Sequence, residues 1–460
     1  MIGSLLYSQG LPLALGYVLL LLMTRDRRLP LTLGLALGYG LGNGILCQWM
    51  FALGILGIPY SVRSIGFPLG IVLLVLSFTL YYFRKTARPL VNDDVAPPTQ
   101  AFNLFHVGGL VFLLWILFFV WWNALHVPVA AWDVLSTHGM TGKILFLEAS
   151  LEHRRHFPHP SYPLHVPFLM SWIAFNLGQW HEQFVKIVSP SAFMAWLFVQ
   201  YHFMKRLTNA GWALLSLLFL YSSIAFVYIA TTGYREMSLA FYSCTTLVLI
   251  LFWHRNRNDG WLYLAGLYAG FLSFVKTEGV GYTFTYSLIL VFLLRNIPLS
   301  FKEKCVRFFK FFMPAVLITS VYLVHTYFTV FRFLPKAGGK SFRLTALHFE
   351  FGPEAFARVV PVLDRISENL FLMGNWNIVW LIFFVSFIVR NKQNRPRIEF
   401  SAMAWSVAII FFIYFIGFTF TQHHFFILKQ EVALTRSIIQ YLPLIVMLGT
   451  LNFYSVFNQK

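Results

Sequence analysis

Residues 106–123 read HVGGLVFLLWILFFVWWN, and between His106 and Asn123 no side chain carries a charge, an amide or a hydroxyl. A helix needs about 20 apolar residues to cross a bilayer, somewhat fewer when flanking side chains reach back to the interface. A run that is apolar on every face has to be buried all round, in a membrane or in a large core. Composition decides between the two. Of 460 residues, 58% are hydrophobic, 19% aromatic and 11% charged, against roughly 25% charged in an ordinary globular domain. Too few polar side chains remain to coat a soluble surface. A soluble enzyme, a disordered chain and a coiled coil are excluded, and the length of the apolar runs excludes a membrane barrel.

Outward from 106–123, about thirteen apolar stretches suit a span: 4–24, 30–55, 66–83, 106–123, 187–204, 210–230, 236–253, 260–276, 279–295, 310–330, 371–390, 401–420 and 437–456. The first lacks a basic flank and a cleavage site before it, so it is expected to be retained as a helix. The prediction is an all-α polytopic membrane protein of about 13 transmembrane helices. Four segments follow: 1–105, three N-terminal helices and a linker that includes Val91–Gln100; 106–330, the core, with a long loop at 124–186; 331–370, a second long loop; and 371–460, the C-terminal helices. Within the first loop, Val166–Leu177 is too short to span and is expected as an interfacial helix. Gly34, Gly38 and Gly42 have the spacing of close helix packing rather than of a nucleotide loop.

Net charge is +18, which in a membrane protein first reflects sidedness, because cytoplasmic loops collect Lys and Arg. Placing Arg25–Arg28 in the cytoplasm fixes the alternation. Together with Arg25–Arg28, the segments containing Arg84, Lys85, Arg88, Lys205, Arg206, Arg255, Arg257, Arg295–Lys310, Arg390–Arg397 and Lys460 then hold 20 of the 35 basic residues. The other side holds 15, six of them in the long loop 331–370. The expected topology is N-terminus outside and C-terminus inside, with no call for a nucleic-acid partner.

Ionisable residues near a bilayer are costly, so their positions carry information. Ten of the 14 histidines fall on the expected outer side: His126, His138, His153, His156, His159, His165, His181, His348, His423 and His424. Asp133, Glu148, Glu152, Glu236, Lys276, Glu278 and Arg436 join them. Asp133, beside Trp132, is either a general base or metal ligand, or an interfacial helix cap. Glu236 in Gly233-Tyr234-Arg235-Glu236 is either a site carboxylate or a dipole-favoured first-turn residue. Lys276 is either a phosphate-binding cation or one half of a water-facing pair with Glu278. Arg436 breaks the sidedness rule and is either functional or snorkelling. The three histidines of His156–His165 lack zinc spacing, and Cys47, Cys244 and Cys305 lack metal or disulfide spacing. No cofactor is expected; a divalent metal lacks a supporting Asp-x-Asp or Asp-Glu pair.

In this order, Trp132-Asp133, His159-Pro160-Ser161-Tyr162-Pro163-Leu164, Gly233–Glu236, Val275–Gly279 and Arg436–Pro443 resemble the motifs of bacterial GT-C membrane glycosyltransferases, the superfamily of protein mannosyltransferases and aminoarabinose transferases. Arg235 stands where that pattern more often has a small residue, and Thr435 where it has an acid. The resemblance implies a GT-C-like helical bundle with interfacial helices in the first outer loop. It also implies sugar transfer on the outer face of the bacterial inner membrane, from a polyprenyl-phosphate-linked donor to a lipid, glycan or protein acceptor. The expected roles are Asp133 and Glu236 in catalysis and Lys276 and Arg436 on the donor phosphate. Trp132, His138, His159, Tyr162, Tyr234, Glu278, His423 and His424 are expected to line the substrates. A transporter of a lipid-linked or anionic substrate is the alternative.

Overall fold

The structure is a computed structural model that describes residues 1–26, 29–86, 103–330, 349–391, 396–428 and 433–457. Arg27, Arg28, Arg88, the linker Val91–Gln100, His348, Lys392, Arg395, Lys429 and Lys460 lie outside the described residues.

The described chain is helical, apart from an isolated bridge between Phe349 and Thr421. In order, the N-terminal helices are α1 (Ile2–Thr24), α2 (Leu31–Ile55), α3 (Val62–Thr86) and α4 (Leu104–His126). The first long loop holds α5 (Gly139–Glu148), α6 (His165–Leu177) and the single turn α7 (Glu182–Val185). Then come α8 (Val188–Leu207), α9 (Ala210–Tyr221), α10 (Ile224–Thr232), α11 (Arg235–Asn256), α12 (Gly260–Val275), α13 (Gly279–Arg295) and α14 (Phe301–Thr329). The C-terminal part holds α15 (Pro353–Ala357), α16 (Val359–Phe371), α17 (Val379–Val389), α18 (Arg397–Phe420), α19 (His424–Leu428), α20 (Ala433–Ile439) and α21 (Leu442–Phe457).

This is a multi-pass membrane protein. Among the described residues, seven helices are long and apolar enough to cross, or up to nine if two bent pairs each count as one span. The expected thirteen is therefore not reached. Every predicted stretch contains helix, but α12, α13 and α17 are short. The 25-residue α2 is diluted by its glycines, Asn43 and Gln48. Stretches 210–230 and 437–456 are broken: α9 and α10 meet at 73°, α20 and α21 at 54°.

At the centre stands α11, buried from Arg235 to Trp253. Its hydroxyls reveal why: Ser243 bonds the Tyr286 phenol at 2.7 Å, and Thr246 returns its proton to Tyr242 O. Lipid offers such groups nothing, so a helix carrying them belongs inside the bundle. Helices α3, α4 and α14 present mostly exposed apolar surface. The pair α1–α2 packs backbone to backbone. A Cβ on Gly42 would strike Pro12 O, and one on Gly38 would lie 2.8 Å from Tyr17 N, as the glycine spacing predicts. Pro12 cannot donate to Ser8 O four residues back. The Trp172 indole of α6 does so instead, at 2.8 Å. Pro68 repeats the arrangement in α3, where the Trp49 indole donates to Ser64 O at 3.3 Å. Helix α6 is accordingly buried from His165 to Ala174 against its neighbours.

Candidate active site

Four separate stretches bring charged side chains to one point. The first is the turn before α5. The helix that Trp132 opens widens at Val134–His138 into a π-turn, a distortion common at functional sites. Asp133 makes no cap hydrogen bond there, so the capping alternative fails. Its carboxylate instead lies 2.5 Å from Arg436 Nη1. Trp132 beside it is 75% exposed and free to meet a ligand.

The second stretch is the α10–α11 junction. Gly233 ends α10 at φ 86°, a left-handed conformation that favours glycine. Tyr234 is extended, and α11 begins at Arg235. The reversal puts Glu236 in the first turn of the most buried helix, where it is fully buried. His138 crosses from the first loop and donates through Nε2 to Gly233 O at 3.1 Å; an acceptor-only carbonyl fixes that tautomer. Burial chiefly, with help from Arg235 and Arg436, pulls its pKa down to about 3, against the opposing pull of Glu236 and the bond to Gly233. His138 is neutral at physiological pH.

The third stretch is the α12–α13 turn. Gly279 is required because a Cβ would collide with Leu272 O. Lys276 pairs with Glu278 at 2.9 Å and reaches Glu236 Oε1 at 3.3 Å. Its side chain is only 13% exposed while that of Glu278 is 36% exposed, so the pair faces water mainly through its carboxylate. Partial burial acts to raise the Glu278 pKa, but the Lys276 ammonium outweighs it and holds the carboxyl below its usual range.

The fourth is α20. Arg436 donates to Glu236 Oε1 from Nε at 2.8 Å and from Nη2 at 2.6 Å, and its Cζ lies 4.4 Å from the Tyr234 ring centre. Beside it, Thr435 accepts from Asn369 at 2.8 Å and Asn375 at 3.2 Å. Asn375 connects this end of α20 to the break between α9 and α10, where its O accepts from Ala225 N at 3.1 Å.

The result is a continuous chain, Asp133–Arg436–Glu236–Lys276–Glu278. It joins the expected catalytic carboxylates to the expected phosphate-binding cations. Tyr234 packs on it, and His423 lies at its Lys276–Glu278 end, where burial lowers the imidazole pKa, Glu278 opposes that and Lys276 adds to it. His159 and Tyr162 stack on each other at 4.8 Å and line a cleft with Thr137 and His138. His424 belongs elsewhere, accepting from Arg358 at 3.1 Å. Sequence reasoning missed Asn369 and Asn375, which carry no charge to flag them. It passed over Arg235, which is nearly fully buried. Among the described residues no cluster of three metal-ligating side chains occurs.

No family model and no curated protein matches this chain. Among solved structures it is similar to the crystal structure of ArnT from Cupriavidus metallidurans in the apo state. Identity is 15%, the TM-score is 0.48, and the match covers 75% of this chain. The chain spans 59% of that structure's length.

Proposed function

We propose that this protein is a membrane glycosyltransferase, moving a sugar from a polyprenyl-phosphate donor to a lipid, glycan or protein hydroxyl at the outer face of the bacterial inner membrane. The observation that carries the reading is the Asp133–Arg436–Glu236 linkage, with Asp133 at its partly exposed end and Glu236 at its buried one. Glycosyl transfer from a phosphate needs a base for the acceptor and positive charge for the leaving group. The acceptor O–H loses its proton to Asp133 as its oxygen bonds the anomeric carbon. The carbon–oxygen bond to phosphate breaks, and the polyprenyl phosphate departs with one more negative charge. Arg436 and Lys276 are the cations beside that charge. Because Arg436 also holds Asp133, a phosphate that draws the guanidinium away frees the carboxylate for the proton. Base activation is thereby coupled to donor occupancy. Trp132 offers an exposed ring on which a sugar can stack.

One observation favours the transporter alternative: two broken apolar helices, as transporters use around their sites. Here the α9–α10 break is closed by Asn375 and Asn377 bonding Ser222, Ser223 and Ala225. The test is mass spectrometry of lipid copurifying with the protein, then incubation with candidate acceptors. Polyprenyl-phosphate sugar that loses its sugar to an acceptor supports the transferase. Lipid-linked sugar that crosses vesicle membranes unchanged, with no transfer, supports the transporter and ends the enzyme reading.

A further inference from the structure

Arg235 opens α11 with 4% of its surface exposed, and no described residue accepts from its Nε or Nη1. Its neighbour Glu236 gives Oε1 to Arg436 and Lys276, and neither its Oε1 nor its unpartnered Oε2 is hydrogen-bonded to Arg235. The contact Arg235 does make is with the Tyr162 ring, 4.7 Å from Cζ. That contact uses neither of these N–H donors, and the Glu236 and Glu278 carboxylates answer the charge only through space. Buried donors left over in this way are rare in folded proteins.

A second guanidinium lies on the same loop. Arg154, 1% exposed, donates to neutral groups: Pro160 O at 3.2 Å, His325 Nδ1 at 2.9 Å and Thr326 Oγ1 at 3.0 Å. The stretch Pro160–Tyr162 therefore runs between two buried cations. Tyr162 also forms one wall of the cleft that His138 and His159 line. Helix α11 adds the positive end of its dipole, with Arg235 as its first residue.

We propose that Arg235 anchors an anion subsite reached through the cleft between His138 and Tyr162, taking a phosphate group and standing apart from the Asp133–Arg436 pair. A guanidinium with unspent donors matches the oxygens of phosphate, and Arg154 deepens the positive potential behind it. The choice of phosphate rests on the transferase reading; the existence of an anion site does not. The phosphate comes either from the lipid-linked donor or from the acceptor, and both have the same chemistry at Arg235.

The experiment uses the purified full-length chain in detergent. Thermal unfolding is followed against inorganic phosphate, with chloride at matched ionic strength as reference. Saturable stabilisation by phosphate is expected in the wild type. Arg235→Met fills the volume and removes the donors, and should weaken phosphate binding by about tenfold or more. Should Arg235→Met fail to fold, Arg235→Lys keeps the charge, loses the planar fork and should still bind more weakly than the wild type. Phosphate binding within about twofold of wild type in the folded variant overturns the proposal. So does the absence of saturable phosphate stabilisation in the wild type. Saturating polyprenyl phosphate then separates the sources: competition with inorganic phosphate assigns the site to the donor, and additive binding to the acceptor. Failure of sugar transfer alongside Arg235-dependent phosphate binding would remove the transferase reading and leave the anion site standing.

Discussion

Asp133 and Glu236 are both carboxylates on Arg436, yet their surroundings give them different work. Asp133 is 28% exposed and, among the described cations, pairs with Arg436 alone, whereas Glu236 is fully buried and shared by Arg436 and Lys276. A proton acceptor has to meet substrate; a buried carboxylate between two cations holds them in place. Asp133→Asn should lower turnover by about 10²–10⁴-fold while lipid binding and thermal stability persist. Glu236→Gln should instead destabilise the fold, by about 3–5 kcal/mol, because two cations lose their shared counter-charge. Turnover of Asp133→Asn close to wild type, with Glu236→Gln stable but inactive, would reverse the assignment. His138 supplies a pH test. Its folded pKa of about 3 lies below the ordinary 6.5, so between those values the unfolded chain binds more protons and stability rises with pH. Acidification below about pH 6.5 should destabilise the protein, and His138→Gln should flatten that slope in a series of melting curves.

Among elements, the α1–α2 contact depends on absent side chains. Gly42→Val drives a branched side chain into the α1 backbone at Pro12 and should cost about 1–3 kcal/mol or more. Gly108→Ala, on α4 with open space around it, should be neutral or slightly stabilising. Equal melting shifts for the two would show that the close approach does not govern stability. The proline-released carbonyls make a second test. Trp172→Phe keeps most of the ring but leaves Ser8 O without its donor, at a cost of about 1–3 kcal/mol. A melting temperature unchanged by Trp172→Phe would mean that another donor satisfies Ser8 O.

For the molecule as a whole, orientation in the membrane decides which compartment supplies the acceptor. The 20 to 15 split of basic residues predicts that Asp133 and His423 lie outside. Cysteines at Ser136 and Gln422 should react with a membrane-impermeant thiol reagent in cells whose outer membrane is permeabilised. Cys305 is a natural control, near the start of the 29-residue α14 whose far end meets Arg154. It should be labelled only after lysis. The opposite pattern would invert the topology and put the charged chain on the cytoplasmic side.

The order of residues alone makes the chain helical and membrane-embedded, because hydropathy is a local property summed over about 20 neighbours. It also located Asp133, Glu236, Lys276, Glu278 and Arg436, since isolated charges stand out in an apolar chain. How they pair follows from the packing of the helices. Arg436 finds Glu236 from 200 positions away, and no local pattern encodes a contact that depends on where whole helices pack. Packing also decided which helices break. Stretch 210–230 reads as one span, but its break at Ser222 and Ser223 is met by asparagines from the loop before α17. Arg235 shows the limit most directly: in the sequence it stands out only as a departure from the motif, where a small residue is more usual. Its buried Nε and Nη1 have no acceptor among the described residues, a property that exists only once neighbouring helices have been placed.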